Sequence, residues 1–412
     1  MTNTTTRIAT LDIVRGIAVM GILVANMPGF ALPEAAYFSP MAWGGHGPPE
    51  IIAWATNFVL IEGKMRGLFS FLFGASMLLV IERGRDSGQN AAGIHMARMA
   101  VLFIVGIVHL YLVWWGDILA HYALVGLIAY AFTRLGTRRL IAWGLAFLGA
   151  SIFIGAGGYM VMLESAAQST PQQVETWAEF SLGFGIPPAD RIAEEIAAYR
   201  GGWLENSVWR WKHASDPVSF LPILGVQTLS AMLFGMAAYR SGFLTGEWDR
   251  RRYARWALIC LGTAWAAYAA LAINTHSQGF DPRAVYFASI VASDPFRMLG
   301  TVGYAALFIW LIRPESALGK RLAAVGRAAF TNYLGTSILV TAIFYGWGLG
   351  LYGQLSRAEI YVVPLVIWAI MLLWSKPWLD RFQHGPLEWA WRTAARGRLQ
   401  PMLKRDTVPA EA

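Results

Sequence analysis

The chain is poor in cysteine, in charge and in the motifs of soluble enzymes. Its one cysteine, Cys260, excludes an intramolecular disulfide and a cysteine metal cluster. Only 14% of the 412 residues are charged, whereas 56% are hydrophobic, and the mean hydropathy is +0.45. The sequence has no Walker motif, no dinucleotide glycine fingerprint after a strand, no Gly-x-Ser-x-Gly elbow and no His-Glu-x-x-His. The composition therefore indicates an integral membrane protein.

Ten stretches approach the roughly 20 apolar residues that a helical membrane span needs. They lie near residues 11–30, 65–82, 97–115, 117–133, 140–163, 218–239, 254–273, 295–312, 328–350 and 358–375. The sequence thus predicts an all-α polytopic membrane protein with about ten transmembrane helices. Its parts would be an N-terminal five-helix half (1–163), a helical extracytoplasmic segment (164–216), a C-terminal five-helix half (217–375), and a cytoplasmic interfacial helix and tail (376–412).

The placement of Lys and Arg predicts the orientation. With the N-terminus inside, the cytoplasmic segments hold 23 of the 33 cations and the outer segments hold nine. This positive-inside pattern predicts both termini in the cytoplasm, and a multi-pass protein of the cytoplasmic (inner) membrane. The net charge of +8 then reflects topology and contact with membrane lipids, and we expect no nucleic-acid partner. A homodimer is a further expectation.

The stretch between the fifth and sixth predicted spans looks soluble, because eight acidic residues stand there against four cations. Proline at 187 and 188 opens a predicted helix, and Gly201-Gly202 closes it. Ile192, Ile196 and Tyr199 form its apolar stripe. Two interpretations stay open, a cap over an outward-facing cavity and a plain amphipathic connector.

The first predicted span carries polar residues along one face. At roughly 100° per residue, Asp12, Arg15 and Asn26 align, with Val19 and Ile22 between them. A charge at bilayer depth costs roughly 2.5–3.5 kcal/mol, so such residues face a bundle interior or a water-filled cavity. Asn26 lies about 21 Å along the helix axis from Asp12. The pattern predicts a polar path across much of the membrane.

A histidine and an aspartate flank a short outer turn. His109 ends the third predicted span, and Asp117 follows Trp114-Trp115-Gly116. The two side chains could meet as a general base and its orienting carboxylate, or His109 could be hydrogen-bonded to a carbonyl inside the bundle. Arg98 falls on the same helical face as His109. His121 adds an Asp–His pair that lacks a third ligand, so we predict no metal site.

Further polar residues mark the ends of other spans. Glu62 and Arg66 suit an i,i+4 ion pair at the second span, although a snorkelling interfacial pair is the simpler interpretation. Arg327 and Asn332 enter the ninth span, where polar groups hold helices together or touch a ligand. His46 lies in a glycine-rich outer loop, where a histidine is usually incidental.

Six segments together resemble one family. They are Leu11–Asn26 with Arg7 before it, Leu68–Gly74 with Lys64 before it, Gly106–His109, Gly116–Leu119 with Tyr122–Leu124 after it, Thr331–Leu334 with Gly326-Arg327 before it, and Gly385–Arg392. The chain resembles the YeiB family, also called domain of unknown function 418, along nearly its whole length. Its opening motif is also similar to that of the wider membrane acyltransferase superfamily. Many acyltransferase-3 proteins have a histidine where this chain has Asn26, so His109, or His46, would have to replace it.

The resemblance implies that an acyl group passes from a cytoplasmic donor such as acyl-CoA to an acceptor at the outer face. His109 would then be the base, Asp117 its orienting group, and Asn26 or Lys64 the oxyanion donor. No bound cofactor is expected, and the acceptor could be a small molecule, a glycan or a lipid. A transporter or exporter of a small polar or amphipathic molecule, and a non-catalytic membrane partner or sensor, stay open. The donor or substrate path would comprise Asp12, Arg15, Lys64, Arg98, Arg327, Asn332, Glu388 and Arg392.

Overall fold

The computed structural model describes residues 8–219 and 221–404, and within them it is helical without a single β-strand. Arg7 and Arg405, which enter the cation count above, lie outside the described residues. The α-helices are α1 (Ala9–Ala31), α2 (Pro48–Thr56), α3 (Lys64–Asp86), α4 (Ala91–Leu112), α5 (Leu119–Ala129), α6 (Thr137–Ser165), α7 (Pro171–Phe184), α8 (Ala189–Arg200), α9 (Trp203–His213), α10 (Val226–Arg240), α11 (Arg250–Ser277), α12 (Pro282–Tyr286), α13 (Asp294–Leu311), α14 (Ala317–Arg327), α15 (Ala329–Phe344), α16 (Val362–Arg381) and α17 (Pro386–Arg396).

The predicted fold class is confirmed: the protein is an all-α polytopic membrane protein. In the described part of the chain, seven helices are long and apolar enough to cross a membrane. Two shorter apolar helices, Leu119–Phe132 and Ala329–Phe344, and α13 overlap the three remaining predicted spans. Each of the ten predicted spans therefore falls on a helix, and the number that cross the bilayer stays a prediction.

Wide turns occur in three of these helices, and one of the three is interrupted. The helix of the second span runs from Pro48 to Asp86 and breaks at Glu62-Gly63, where Gly63 has a φ of +69° that favours glycine. Wide π-helical turns precede the break at Asn57–Ile61, and also precede α10 at Leu221–Gly225 and α13 at Phe287–Ala292. Only the turn before α3 ends in a break, because Gly225 and Ser293 keep helical backbone angles and so join α10 and α13 to the turns before them.

Glycines let the principal helices approach closely. A side chain at Gly74 of α3 would overlap the Met232 carbonyl of α10, and one at Gly235 would overlap the Phe71 carbonyl of α3. Gly74 and Gly235 each end a Leu-Phe-Gly sequence, and the two sequences cross where α3 packs against α10. The close approach of these two helices explains both glycines. Gly326 contacts the backbone of Asp12 in the same way, and so fixes α14 against α1.

The ninth predicted span holds one helix, α15, and the shorter α14 precedes it. Ala328, with φ −103° and ψ 30°, separates α14 from α15. The Asn332 side chain spans this break, since its Nδ2 donates to the Val325 carbonyl at 3.1 Å and to Ser375 Oγ at 3.2 Å, while its Oδ1 accepts from Trp374 at 2.9 Å. Asn332 therefore holds helices together and carries no ligand-facing group.

The segment 164–216 contains three helices, α7 to α9, where the sequence predicted one. The predicted helix is confirmed as α8, and its stripe residues Ile192 and Tyr199 are buried. The Tyr199 ring lies 4.7 Å from the rings of both Tyr345 and Tyr352, at the end of α15 and in the loop beyond it. The segment is thus packed onto the helical bundle.

Reporter fusions test the orientation. We expect a periplasm-active reporter to be active after Thr170 and inactive at the C-terminus. The reason is that 23 Lys and Arg residues lie in the segments predicted to be cytoplasmic and only nine in those predicted to be outside. A cytoplasm-active reporter at the same two positions should give the opposite pattern. Both positions reporting the same side would contradict the topology.

Candidate functional site

A cavity of about 470 Å³ lies between α1, α3, α4, α5, the α14–α15 break and the chain from Gln383 to Arg392. We call it the basic cavity. Its polar wall contains Asp12, Arg15, Ser76, Arg83, His95, Arg98, Arg327, Gln383, His384, Glu388 and Arg392. Its apolar wall includes Phe69, Leu72, Phe73, Met99, Leu102 and Phe330. The cavity is therefore both charged and lined by hydrocarbon, and with the N-terminus inside it faces the cytoplasm.

The formal charge of this wall is positive, since five arginines face two carboxylates. The five arginines come from five different helices, α1, α3, α4, α14 and α17, so the fold itself brings them together. Guanidinium groups present forks of N–H donors that match phosphate and carboxylate oxygens. The arrangement suits an anionic ligand that also carries an apolar part.

The polar face of α1 enters this cavity. Asp12 Oδ1 accepts from Arg15 Nη1 at 2.8 Å, and Arg15 Nη2 donates to Ser76 Oγ of α3 at 2.6 Å. The two side chains are 8% and 21% exposed, respectively. Val19 and Ile22, further along the same face, are buried in the core. The polar path therefore ends within the first half of α1.

The short helix α17 closes one side of the cavity. Trp391 Nε1 donates to the Arg98 carbonyl at 3.1 Å, and the Arg98 guanidinium lies 4.4 Å from the Trp391 ring centre. Glu388 accepts from the backbone N–H groups of Phe330 and Thr331 at 2.6 and 3.1 Å, and so caps the start of α15. Burial raises the pKa of the Glu388 carboxyl above its ordinary value.

The aromatic end of the cavity leads to the predicted histidine pair. Tyr122 and Tyr333 line this end, and the Tyr333 ring lies 5.5 Å from the His109 ring. His109 Nδ1 and Asp117 Oδ1 are 2.8 Å apart, with side chains only 2% and 1% exposed. The two residues therefore meet as their positions around the short turn predicted.

The pair is oriented from both sides. Asp117 Oδ2 accepts from the Ala120 N–H at 2.9 Å, so the carboxylate also caps the first turn of α5. The Nδ1–H tautomer of His109 donates to Asp117, and this leaves Nε2 as the basic nitrogen. His109 Nε2 is buried and has no hydrogen-bond partner among the described residues. An oriented imidazole nitrogen without a partner can accept a proton from a group that comes within hydrogen-bond distance of it.

Packing around Trp114 fixes the turn that joins the pair. Its ring stacks on Phe30 of α1 with centroids 3.9 Å apart, and its Nε1 donates to the Gly29 carbonyl at 3.1 Å. A side chain at Gly116 would overlap the Trp114 ring. The turn can therefore accommodate only glycine at this position without rearrangement.

Two predicted site residues lie elsewhere. Lys64 is fully buried, its Nζ donates to the Phe58 carbonyl at 2.9 Å, and it lies 3.1 Å from the Tyr268 ring centre. Asn26 is half-buried on α1, outside the basic cavity. The suggested pair of Glu62 with Arg66 is also absent among the described ion pairs, since Arg66 donates to Gln227.

Other lining residues were not predicted. Phe69, Ser76 and Arg83 of α3 follow each other at intervals of seven and share one face of the helix. The spacing of seven is visible in the sequence, but nothing there shows that this face of α3 lines a cavity. Tyr122 and Tyr333 stand in segments that resemble the family, but their sequence positions did not indicate that they would line one cavity together.

These features define a multi-pass helical membrane protein with a charged internal cavity. The family described as "Protein of unknown function (DUF418)" matches residues 238–398. The chain is 32% identical over 413 residues to the uncharacterized protein YeiB of Escherichia coli (strain K12), covering 97% of this chain and 99% of the relative. It is 29% identical over 427 residues to the uncharacterized protein YxaH of Bacillus subtilis (strain 168), covering 99% and 98%. The chain belongs to the YeiB family.

Proposed function

We propose that the protein is an acyltransferase of the cytoplasmic membrane that moves an acyl group from acyl-CoA to an acceptor entering from the outer side. The observation that supports this most is the unoccupied Nε2 of buried His109, oriented by Asp117 beside the end of the basic cavity. The pair supplies a base, and the cavity supplies a place for an anionic, partly apolar donor.

The charged wall and the apolar wall of the basic cavity suggest how the donor would bind. Arg98, Arg327 and Arg392 would pair with the phosphates of CoA, for which guanidinium forks are suited. The acyl chain would lie along the apolar wall formed by α3 and α4. The thioester carbon would then lie at the aromatic end, near Tyr122 and Tyr333.

The transfer step would use His109 as a general base. Its Nε2 takes the proton of an acceptor hydroxyl or amine while the acceptor atom attacks the thioester carbon. The new C–O or C–N bond forms, the C–S bond breaks, and the imidazolium returns the proton to the leaving thiolate. Asp117 stabilises the imidazolium without taking the proton. Because Lys64 is committed elsewhere, we assign the oxyanion contact to the Tyr333 hydroxyl.

Export of a small polar or amphipathic molecule is the second candidate. The break at Glu62-Gly63 before α3 favours it, since discontinuous helices inside the membrane are a common feature of transporters. The two functions differ in donor chemistry, because a transporter need not bind acyl-CoA.

A measurement of acyl-CoA binding to the purified protein in nanodiscs distinguishes acyl transfer from export. We expect saturable binding by the wild type and weakening of about tenfold or more in Arg98→Gln or Arg327→Gln, because a hydrogen bond to a charged group contributes about 1.5–3 kcal/mol. Arg138→Gln, an exposed cytoplasmic cation outside the cavity, is the matched control and should bind normally. An absence of binding by the wild type would contradict the proposal, and solute transport without acyl-CoA would favour export.

A further inference from the structure

The helix α9 carries apolar residues on a side that faces away from the protein. Leu204, Val208 and Trp211 follow each other at i, i+4 and i+7, so they share one face of the helix. Leu204 is 69% exposed and Trp211 is 72% exposed, and Val208 is exposed as well. A surface helix in water normally turns such a stripe toward the core. Packing within the described part of the chain therefore does not account for this face.

The side of α9 that contacts the rest of the protein is polar instead. Asn206 is fully buried, and its Nδ2 donates to the Ala198 carbonyl at 2.7 Å and to the Gly201 carbonyl at 3.2 Å. Arg210, one turn later, is only 1% exposed. At roughly 100° per residue, these two polar residues lie across the helix from the apolar stripe. The helix is thus held to the protein by hydrogen bonds and not by that stripe.

Two of these hydrogen bonds place α9 across the end of α4. Trp203 Nε1 donates to the Leu112 carbonyl at 2.8 Å, and Arg210 Nε donates to the Tyr111 carbonyl at 3.0 Å. Both carbonyls belong to the last turn of α4, where a helix cannot satisfy them itself. Residues seven apart on α9 therefore reach adjacent residues of α4, whereas a helix alongside α4 would reach residues about seven apart. We infer that α9 crosses the end of α4.

The exposed face of α4 leads to the apolar face of α9. Ile104, Val108 and Leu112 are exposed at intervals of four along α4, which is long and apolar enough to span the membrane. In a bilayer this stripe faces the lipid acyl chains. It ends at Leu112, and the Trp211 ring lies 4.8 Å from the ring of the preceding residue, Tyr111. The two apolar surfaces are therefore neighbours where α4 ends.

Three exposed tryptophans lie at this end of the bundle. Trp203 and Trp211 belong to α9, and Trp347 lies in the turn after α15. That turn adjoins the chain just before α9, since the Gly346 N–H donates to the Tyr199 carbonyl at 2.9 Å. Tryptophan is enriched where lipid headgroups meet acyl chains, because its ring is apolar and its N–H is polar. The composition of this end is therefore typical of a membrane interface.

A second exposed face of α9 is charged. Glu205 and Lys212 are seven residues apart and are both exposed. They lie roughly 80° around the helix from the apolar stripe. A helix with one apolar and one charged exposed face lies along the membrane surface, with the apolar face among the lipids and the charged face in water.

We propose that α9 binds the outer leaflet of the membrane through Trp203, Leu204, Val208 and Trp211, with the N-terminus of the chain inside. The partner of the apolar face is the lipid around α4, because the lipid-facing stripe of α4 ends beside it. The segment 164–216 is then held on the membrane surface. This interaction goes beyond acyl transfer and does not depend on it.

Spin labelling measures the depth of each face. In a Cys260→Ser background, Leu204→Cys and Val208→Cys place a label on the apolar face, and Glu205→Cys and Lys212→Cys are the matched controls on the charged face. All four positions are exposed, and thermal unfolding checks that each labelled protein keeps its fold. In phosphatidylcholine vesicles, paramagnetic resonance measures the collision rates of each label with oxygen, which concentrates among acyl chains, and with a water-soluble nickel chelate.

We expect the labels at positions 204 and 208 to collide severalfold more with oxygen than with the nickel chelate. Their depth should be about 5–10 Å into the boundary between headgroups and acyl chains. The labels at positions 205 and 212 should show the reverse ratio, because their face of the helix points to water.

Two results would overturn the proposal. Preferential collision of the labels at 204 and 208 with the nickel chelate would place the apolar face in water. Low collision with both reagents would show that protein covers this face, and dipolar broadening between labels would identify a second copy of the chain. The two labels test the same face independently, so the loss of one variant leaves the other decisive. No acyl-CoA is present, so the outcome is independent of donor binding.

Discussion

Replacing His109 by alanine is expected to abolish acyl transfer while leaving the fold and donor binding intact. General-base catalysis typically contributes 10²–10⁴-fold to a rate, and among the described residues no second histidine has its ring against Tyr333 at the end of the basic cavity. Asp117→Asn should have a similar effect, because an amide does not stabilise the imidazolium and can favour the wrong tautomer. Turnover in vesicles that contain acyl-CoA and a soluble acceptor measures both variants.

The double variant sharpens this test. His109→Ala with Asp117→Asn should be little slower than either single variant, since residues that act as one unit are non-additive. His121→Gln is the matched control, because this buried histidine contacts Thr228 and not the pair. Acyl-CoA binding should be retained in all of these variants. Full activity of His109→Ala would place the base elsewhere, with exposed His46 as the next candidate.

Hydropathy and charge predicted the fold because each membrane span can be recognised from one continuous stretch of sequence. Each span needs about 20 apolar residues, and the number of Lys and Arg residues in each loop indicates its side of the membrane. The breaks were harder to predict. Ala328 separates α14 from α15 without a proline, two residues after Gly326 contacts the backbone of Asp12 on α1. That contact joins residues that are far apart in sequence.

The site was predictable where one helix or one turn carries it. Helical periodicity aligned Asp12 with Arg15, and a short turn brought Asp117 to His109. Contacts between distant helices were not predictable from spacing. Arg15 meets Ser76 across 61 residues, and Thr331 meets Glu388 across 57. The resemblance to a family indicated that Glu388 matters, but its capping of α15 became visible only in the fold.

Asp12→Ala is expected to lower both the stability and the accumulation of the protein. The substitution leaves the Arg15 guanidinium in a largely enclosed wall, where Ser76 is a neutral partner and no substitute for a carboxylate. Breaking a buried ion pair from one side costs roughly 3–5 kcal/mol, and the 21% exposure of Arg15 to the cavity places the effect near the lower end. Thermal unfolding in detergent and the amount in the membrane fraction measure it.

The partner variant identifies the cause of the loss. Asp12→Ala combined with Arg15→Met removes both charges, so it should recover much of the lost stability, because the cost arises from the uncompensated charge and not from the missing contact. Asp86→Ala, an exposed carboxylate at the end of α3, is the matched control and should unfold like the wild type. The double variant should nevertheless bind acyl-CoA more weakly, since it removes one of the five cavity arginines. If Asp12→Ala unfolds at the wild-type temperature, Asp12 is solvated by the cavity water and its pairing with Arg15 contributes little to the fold.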